Sequence, residues 1–134
     1  MALTGSCLCG AVRYNVTGEP RRALNCCCID CRKAGGSLFH YGVVVGREEF
    51  KIVSGRPSVY ETAADSGRKI KRHFCPTCGS GIYNEPEALP DDVVLRGGSI
   101  DSGELLPPTL ELFAESRPGW VEITSIERSF RRSR

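Results

Sequence analysis

The chain has 134 residues, of which 40% are hydrophobic and 25% charged, and its 18 Lys and Arg against 16 Asp and Glu leave a formal net charge of +2. That length suits one domain with a real core, and the balance excludes a disordered chain, a membrane-spanning one and a polyanion binder driven by bulk charge. Eight cysteines are the outlying feature.

In chain order, the stretch from Gly5 to Gly18 opens with a C-x-C at Cys7 and Cys9 and runs into a strand pattern, with Val12, Tyr14 and Val16 inward and Arg13, Asn15 and Thr17 outward. After a break at Gly18 to Pro20, Ala23 and Leu24 lead into Asn25-Cys26-Cys27-Cys28-Ile29-Asp30-Cys31-Arg32-Lys33, which packs four cysteines into six positions. Arg32 to Gly36 reads as a short helical turn ended by glycines. Residues 39–45, 50–53 and 58–62 read as strands, and a polar turn at Ala64-Asp65-Ser66-Gly67 feeds a strand over 69–74. That strand ends in Cys75-Pro76-Thr77-Cys78-Gly79, a zinc-knuckle pattern. Residues 81–84, 93–96 and 110–114 are further candidate strands. The expected class is mainly β, with short strands in antiparallel hairpins rather than βαβ units and few helical turns. The chain is expected to be one domain over 1–134, with a core over about 4–125 and a frayed basic tail over 126–134.

Val43 to Val45 is far too short an apolar run to span a membrane. The first residues, Met1 to Cys7, show no basic region followed by a hydrophobic one, so a cytoplasmic location is expected. Thiols stay reduced there, and clustered cysteines bind metal or do chemistry. Arg68, Lys69, Lys71 and Arg72, with Arg128, Arg131, Arg132 and Arg134, are read as solvated surface; no nucleic-acid motif accompanies them.

Spacing divides seven cysteines into a closed four and an open three. Cys7, Cys9, Cys75 and Cys78 form a complete tetrahedral thiolate set that would staple distant parts of a sheet, a structural zinc site. In an extended segment Cys26 and Cys28 share a face, and a turn brings Cys31 beside them. Three ligands with an open corner mark a reactive zinc site. Cys27 then points the other way, as a buried thiol. A second wiring, with Cys26 and Cys28 joining Cys75 and Cys78, stays open but leaves a poor two-ligand residue. His73 could point to either site, and His40 is the other imidazole. Three thiolates make an electron-rich metal that suits an incoming sulfur better than water activation, so the chemistry is addition of a thiol to, or its removal from, an electrophilic carbon.

Gly5-x-Cys7-x-Cys9-Gly10-Ala11-Val12-Arg13-Tyr14, Cys26-x-Cys28-x-x-Cys31-Arg32-Lys33 with Gly36 and Phe39, Phe50 with Gly55, Tyr60, and Arg72-x-Phe74-Cys75-x-x-Cys78-Gly79 closely resemble the glutathione-dependent formaldehyde-activating enzyme family, which includes centromere protein V. The resemblance runs from about residue 4 to Trp120. It implies several antiparallel sheets wound into a zinc-stapled coil, a structural zinc on Cys7, Cys9, Cys75 and Cys78, and a labile catalytic zinc on Cys26, Cys28 and Cys31. It further implies a carbon-sulfur lyase that joins glutathione and formaldehyde as S-hydroxymethylglutathione, or reverses that step. Two departures stand out: Cys27 where relatives usually carry histidine, and Gly79-Ser80 where they usually carry Gly-Thr.

The expected function is thus a zinc-dependent carbon-sulfur lyase on a glutathione-type thiol adduct of a small aldehyde, with two zincs per chain and no membrane or nucleic-acid partner. The alternative is a zinc-stabilised binding module without catalysis. Arg72, on a strand face with Ile70 and Phe74, is expected to pair with a structural carboxylate or to hold a substrate carboxylate.

Overall fold

The computed structural model describes residues 3–64 and 66–132; Asp65 of the expected turn and Arg134 of the basic tail lie outside the described residues. In chain order the elements are β1 (Leu3–Ser6), β2 (Arg13–Val16), β3 (Arg22–Cys26), α1 (Ile29–Gly35), β4 (His40–Gly46), β5 (Phe50–Ser54), β6 (Ser58–Ala63), β7 (Lys69–Phe74), β8 (Gly81–Pro86), β9 (Asp92–Arg96), β10 (Leu110–Leu112) and β11 (Arg128–Ser129). They form a three-stranded sheet, β1-β2-β5, and an eight-stranded one, β11-β10-β3-β4-β9-β8-β7-β6. The mainly β expectation holds. Pairing is antiparallel except where β10 runs parallel to β3 and to β11.

Strands β3, β4 and β9 are covered on both faces, which is why their apolar residues run consecutively. Alternation assigns them: Ala23, Val43, Val45, Val93 and Leu95 join the core beneath the small sheet, with Tyr14 and Val16, while Leu24, Val44 and Val94 face a second cluster with Leu110. Val43, Val44 and Val45 are all essentially solvent-free, each contributing roughly 1.5–3 kcal/mol of transfer free energy.

Two local outcomes differ from expectation. The helix begins at Ile29, three residues earlier than expected, because the Cys28 sulfur accepts the Cys31 backbone N–H and so caps the first turn. Gly36, in the left-handed conformation at φ 67°, closes it with an N–H bond to the Arg32 carbonyl. The basic tail is not simply frayed: Arg128 and Ser129 add a strand to β10, the Phe130 N–H bonds the Glu111 carbonyl, and Arg131 and Arg132 pair with Glu115.

The small sheet is locked down by Tyr14, which is fully buried, packs against Phe50 with the rings tilted and their centroids 5.4 Å apart, and shares a hydrogen bond with the Ser99 hydroxyl at 2.8 Å. Its ring lies over Gly5, where any Cβ would penetrate it. Gly5→Ala is therefore expected to overpack this contact and lower stability by about 1–3 kcal/mol, measured by urea unfolding of the metal-loaded protein; an unchanged midpoint would contradict the packing described.

Two candidate metal centres and a cavity

The β1–β2 and β7–β8 connections approach each other and bring Cys7, Cys9, Cys75 and Cys78 together, with all four sulfurs within 4.8 Å of one another. The Cys7–Cys9 and Cys9–Cys75 sulfurs are 3.6 and 3.8 Å apart. Thiolates around one ion with bonds of about 2.3 Å in a tetrahedron sit at about 3.8 Å, so the set fits a single metal. Backbone N–H groups already point at the sulfurs: Val12 to Cys7, and Thr77 and Cys78 to Cys75. Gly79, at φ 80°, lets the knuckle turn back on itself. Ser80 accepts the Leu8 N–H at 3.0 Å and lies 3.2 Å from the Cys78 sulfur. Its hydroxyl and backbone hold Cys78 down to about 5.

The second cluster is built differently. Strand β3 delivers Cys26, the extended backbone at Cys28 turns the chain into α1, and the first helical turn returns Cys31. These three sulfurs also lie within 4.8 Å of one another. Hydrogen bonds from Cys26 and Cys31 hold the Cys28 thiol well below its usual range, while the same bonds and burial push Cys26 up. The alternative wiring through Cys75 and Cys78 is not the grouping the fold brings together.

Arg72 is only 8% exposed, and its Nη1 points at the Cys31 sulfur at 4.0 Å. The expected carboxylate partner is absent among the described residues; the Cys31 sulfur takes its place. Arg96 approaches from the α1 side, against Gly35, and also feels the Cys31 charge. His40, opposite Cys26 on β4, is buried, and burial pushes its pKa down to about 3, so it is neutral at ordinary pH. Its Nε2 is buried without a partner. His73 belongs to neither cluster: it bonds Glu85 at 2.6 Å and stacks on Tyr83 at 4.1 Å, on the face opposite Arg72.

Cys27 faces away from the cage, as alternation requires. Its thiol donates to the Glu111 carboxylate at 3.9 Å, and Glu111 is held by Arg117 at 2.9 Å and by the Ser129 hydroxyl at 2.8 Å. Burial, then the Glu111 charge, push Cys27 up to about 11, leaving it a poor nucleophile at neutral pH. Sequence reasoning missed this partner, which lies 84 residues away.

The three-sulfur cage opens into a cavity of about 790 Å³ floored by Leu24 and Cys26, with Arg72 and Asn84 on one wall and Leu110 and Phe113 on another. Cavities of this size accept drug-sized ligands.

The sequence profile of the family described as "Glutathione-dependent formaldehyde-activating enzyme" matches residues 2–116. The chain belongs to this family. A Halomonas elongata protein provisionally named as a glutathione-dependent formaldehyde-activating enzyme is 35% identical over 133 residues, covering 96% of this chain and 85% of that one. A solved structure from Rhodobacter sphaeroides shares the fold, with a TM-score of 0.60 at 21% identity over 75% of this chain and 90% of that one. Within the formaldehyde-activating family fold, both cysteine clusters could hold a metal ion.

Because Cys27 points away from the cage, Cys27→Ser is expected to leave metal content per chain unchanged. Elemental analysis after metal reconstitution checks this; loss of one equivalent would place Cys27 among the ligands.

Proposed function

We propose that this protein is a zinc-dependent carbon-sulfur lyase that forms or breaks the thiol adduct of a small aldehyde, with glutathione or a similar thiol as partner. The observation that carries this reading is the cage of Cys26, Cys28 and Cys31, three convergent sulfurs opening into a cavity. The Cys7, Cys9, Cys75 and Cys78 set would hold a structural zinc, and the three-cysteine set a second, reactive one. Zinc in the open cage would keep an incoming thiol deprotonated at neutral pH and stabilise it as a leaving thiolate in the reverse direction.

The chain's own residues then have distinct roles. Cys26, Cys28 and Cys31 present a soft, anionic donor set that favours a sulfur over a water. Three thiolates outweigh a divalent cation by one charge, and a substrate thiolate adds another. Arg72, with Arg96 close behind, offsets that excess and makes the approach of an anion tolerable. His40, neutral under its burial, adds no competing charge. In the forward direction the thiolate sulfur forms a bond to the carbonyl carbon, the π electron pair moves to oxygen, and oxygen takes up a proton. In reverse, the hydroxyl loses its proton, the carbonyl reforms and the C–S bond breaks. Such chemistry suits a reducing compartment, in keeping with a cytoplasmic location.

Cys28→Ser tests the reading cleanly, because serine is itself a good helix cap and spares α1. It is expected to abolish turnover of glutathione with formaldehyde, followed by NMR, while leaving a folded protein with one zinc instead of two. Full activity in that variant would sink the proposal.

A mild chelator should likewise remove one zinc and the activity together without unfolding, whereas Cys75→Ser should fail to fold. A second zinc that resists the chelator and shows four protein ligands at the zinc X-ray edge would favour a binding module instead.

A further inference from the structure

We infer that Arg22 reads the far carboxylate of a peptide-like thiol whose sulfur lies at the Cys26, Cys28 and Cys31 cage, so that the cavity selects long anionic thiols over short neutral ones. This rests on the thiol-adduct reading above and names the group that decides which thiol enters.

Arg22, Leu24 and Cys26 alternate along β3 and line the same cavity. Four strand steps separate Cys26 of the cage from Arg22, a distance of roughly 13 Å between backbone positions. The floor between them is apolar: Leu24, with Leu110 directly opposite it on β10. A ligand stretched from cage to Arg22 would therefore lay hydrocarbon and amide over leucines and end on a guanidinium.

Arg22 is available for that purpose. Its Nε is buried without a hydrogen-bond partner, and it makes no ion pair among the described residues. Of the two acids that line the cavity, Glu115 is already engaged by Arg131 and Arg132, and Asp30 sits at the cage end, in the first turn of α1. Arg72 is committed to the Cys31 sulfur. A guanidinium with a desolvated, unpaired N–H is unfavourable in isolation and becomes favourable when a carboxylate docks in its fork. Arg68 and Lys69 at the cavity edge add a positive field that draws an anionic ligand inward. In glutathione the carboxylate farthest from sulfur belongs to the γ-glutamyl residue, and that residue is the one Arg22 would hold.

The test uses the full-length, zinc-loaded protein and four thiols: glutathione, γ-glutamylcysteine, cysteinylglycine and 2-mercaptoethanol. Calorimetry is expected to show glutathione and γ-glutamylcysteine binding at least about tenfold more tightly than cysteinylglycine, the effect of one charge-assisted pair. Arg22→Gln should remove that preference while leaving the two thiols without a γ-glutamyl group unchanged, and Arg22→Lys should restore part of it. Equal weakening of all four thiols by Arg22→Gln, or a preference that survives it, would overturn the role of Arg22. If a sulfur reaches zinc, seen at its X-ray edge, but the wild type does not discriminate, this inference alone falls. If none of the four adds a sulfur, the parent reading falls with it.

Discussion

Four sulfurs drawn together from two turns 66 residues apart are the constraint on which the rest of the molecule depends. Cys7 and Cys9 lie in the connection that closes the small sheet, and Cys75 and Cys78 in the connection that turns β7 into β8 of the large one. Closing so long a loop costs conformational entropy, and crowding four ionisable thiols adds electrostatic cost. A cation held in their midst would offset both. The Tyr14 contact, the apolar layer between the sheets and the edge of the cavity wall all presuppose that the two sheets are held in this relation.

The second cluster uses the same side chain to the opposite end. There the sulfurs come from one strand end and one helical turn, so their proximity is local and needs no long loop. What the wider fold supplies is the surrounding charge and the space in front. Arg72 comes from β7 and Arg96 from β9, and both reach the cage because β8 and β9 sit between β7 and β4 in the sheet order. A buried guanidinium without a carboxylate needs another anionic partner, and thiolates of a metal-loaded cage would supply one, each charge stabilising the other. The two sets thus differ in origin as well as in the number of sulfurs they gather.

Much of this was legible from spacing. The C-x-C, C-x-C-x-x-C and C-x-x-C motifs predict the grouping that the fold makes, since strand alternation and a knuckle turn are local rules and fix sulfur directions within a few residues. The positions of β4 to β9 follow from strand formers and glycine punctuation for the same reason. What escaped depends on distant partners. Cys27 is explained only by Glu111, and Arg72 only by Cys31, neither of which is near in sequence. The parallel ladder between β3 and β10 joins residues 24 and 110, and β11 is too short to carry a periodic signal. The start of α1 was missed because a cysteine served as its cap, in place of the serine, threonine or aspartate that ordinarily marks one.

Strand β3 gathers these threads into one further consequence. Along it and the residue that follows, side chains alternate between two kinds of chemistry, Cys26 toward the cage and Asn25 and Cys27 toward the face that carries Glu111, so its hydrogen-bond register decides which sulfur faces which partner. A slip by one residue would exchange the two faces completely, carrying Cys27 into the cage and Cys26 out of it. That error is blocked on both edges, by five paired positions with β4 and three with β10. Insertions or deletions between Pro20 and Cys26 should therefore be far more damaging than substitutions of similar size, because they change the phase of the strand rather than its composition.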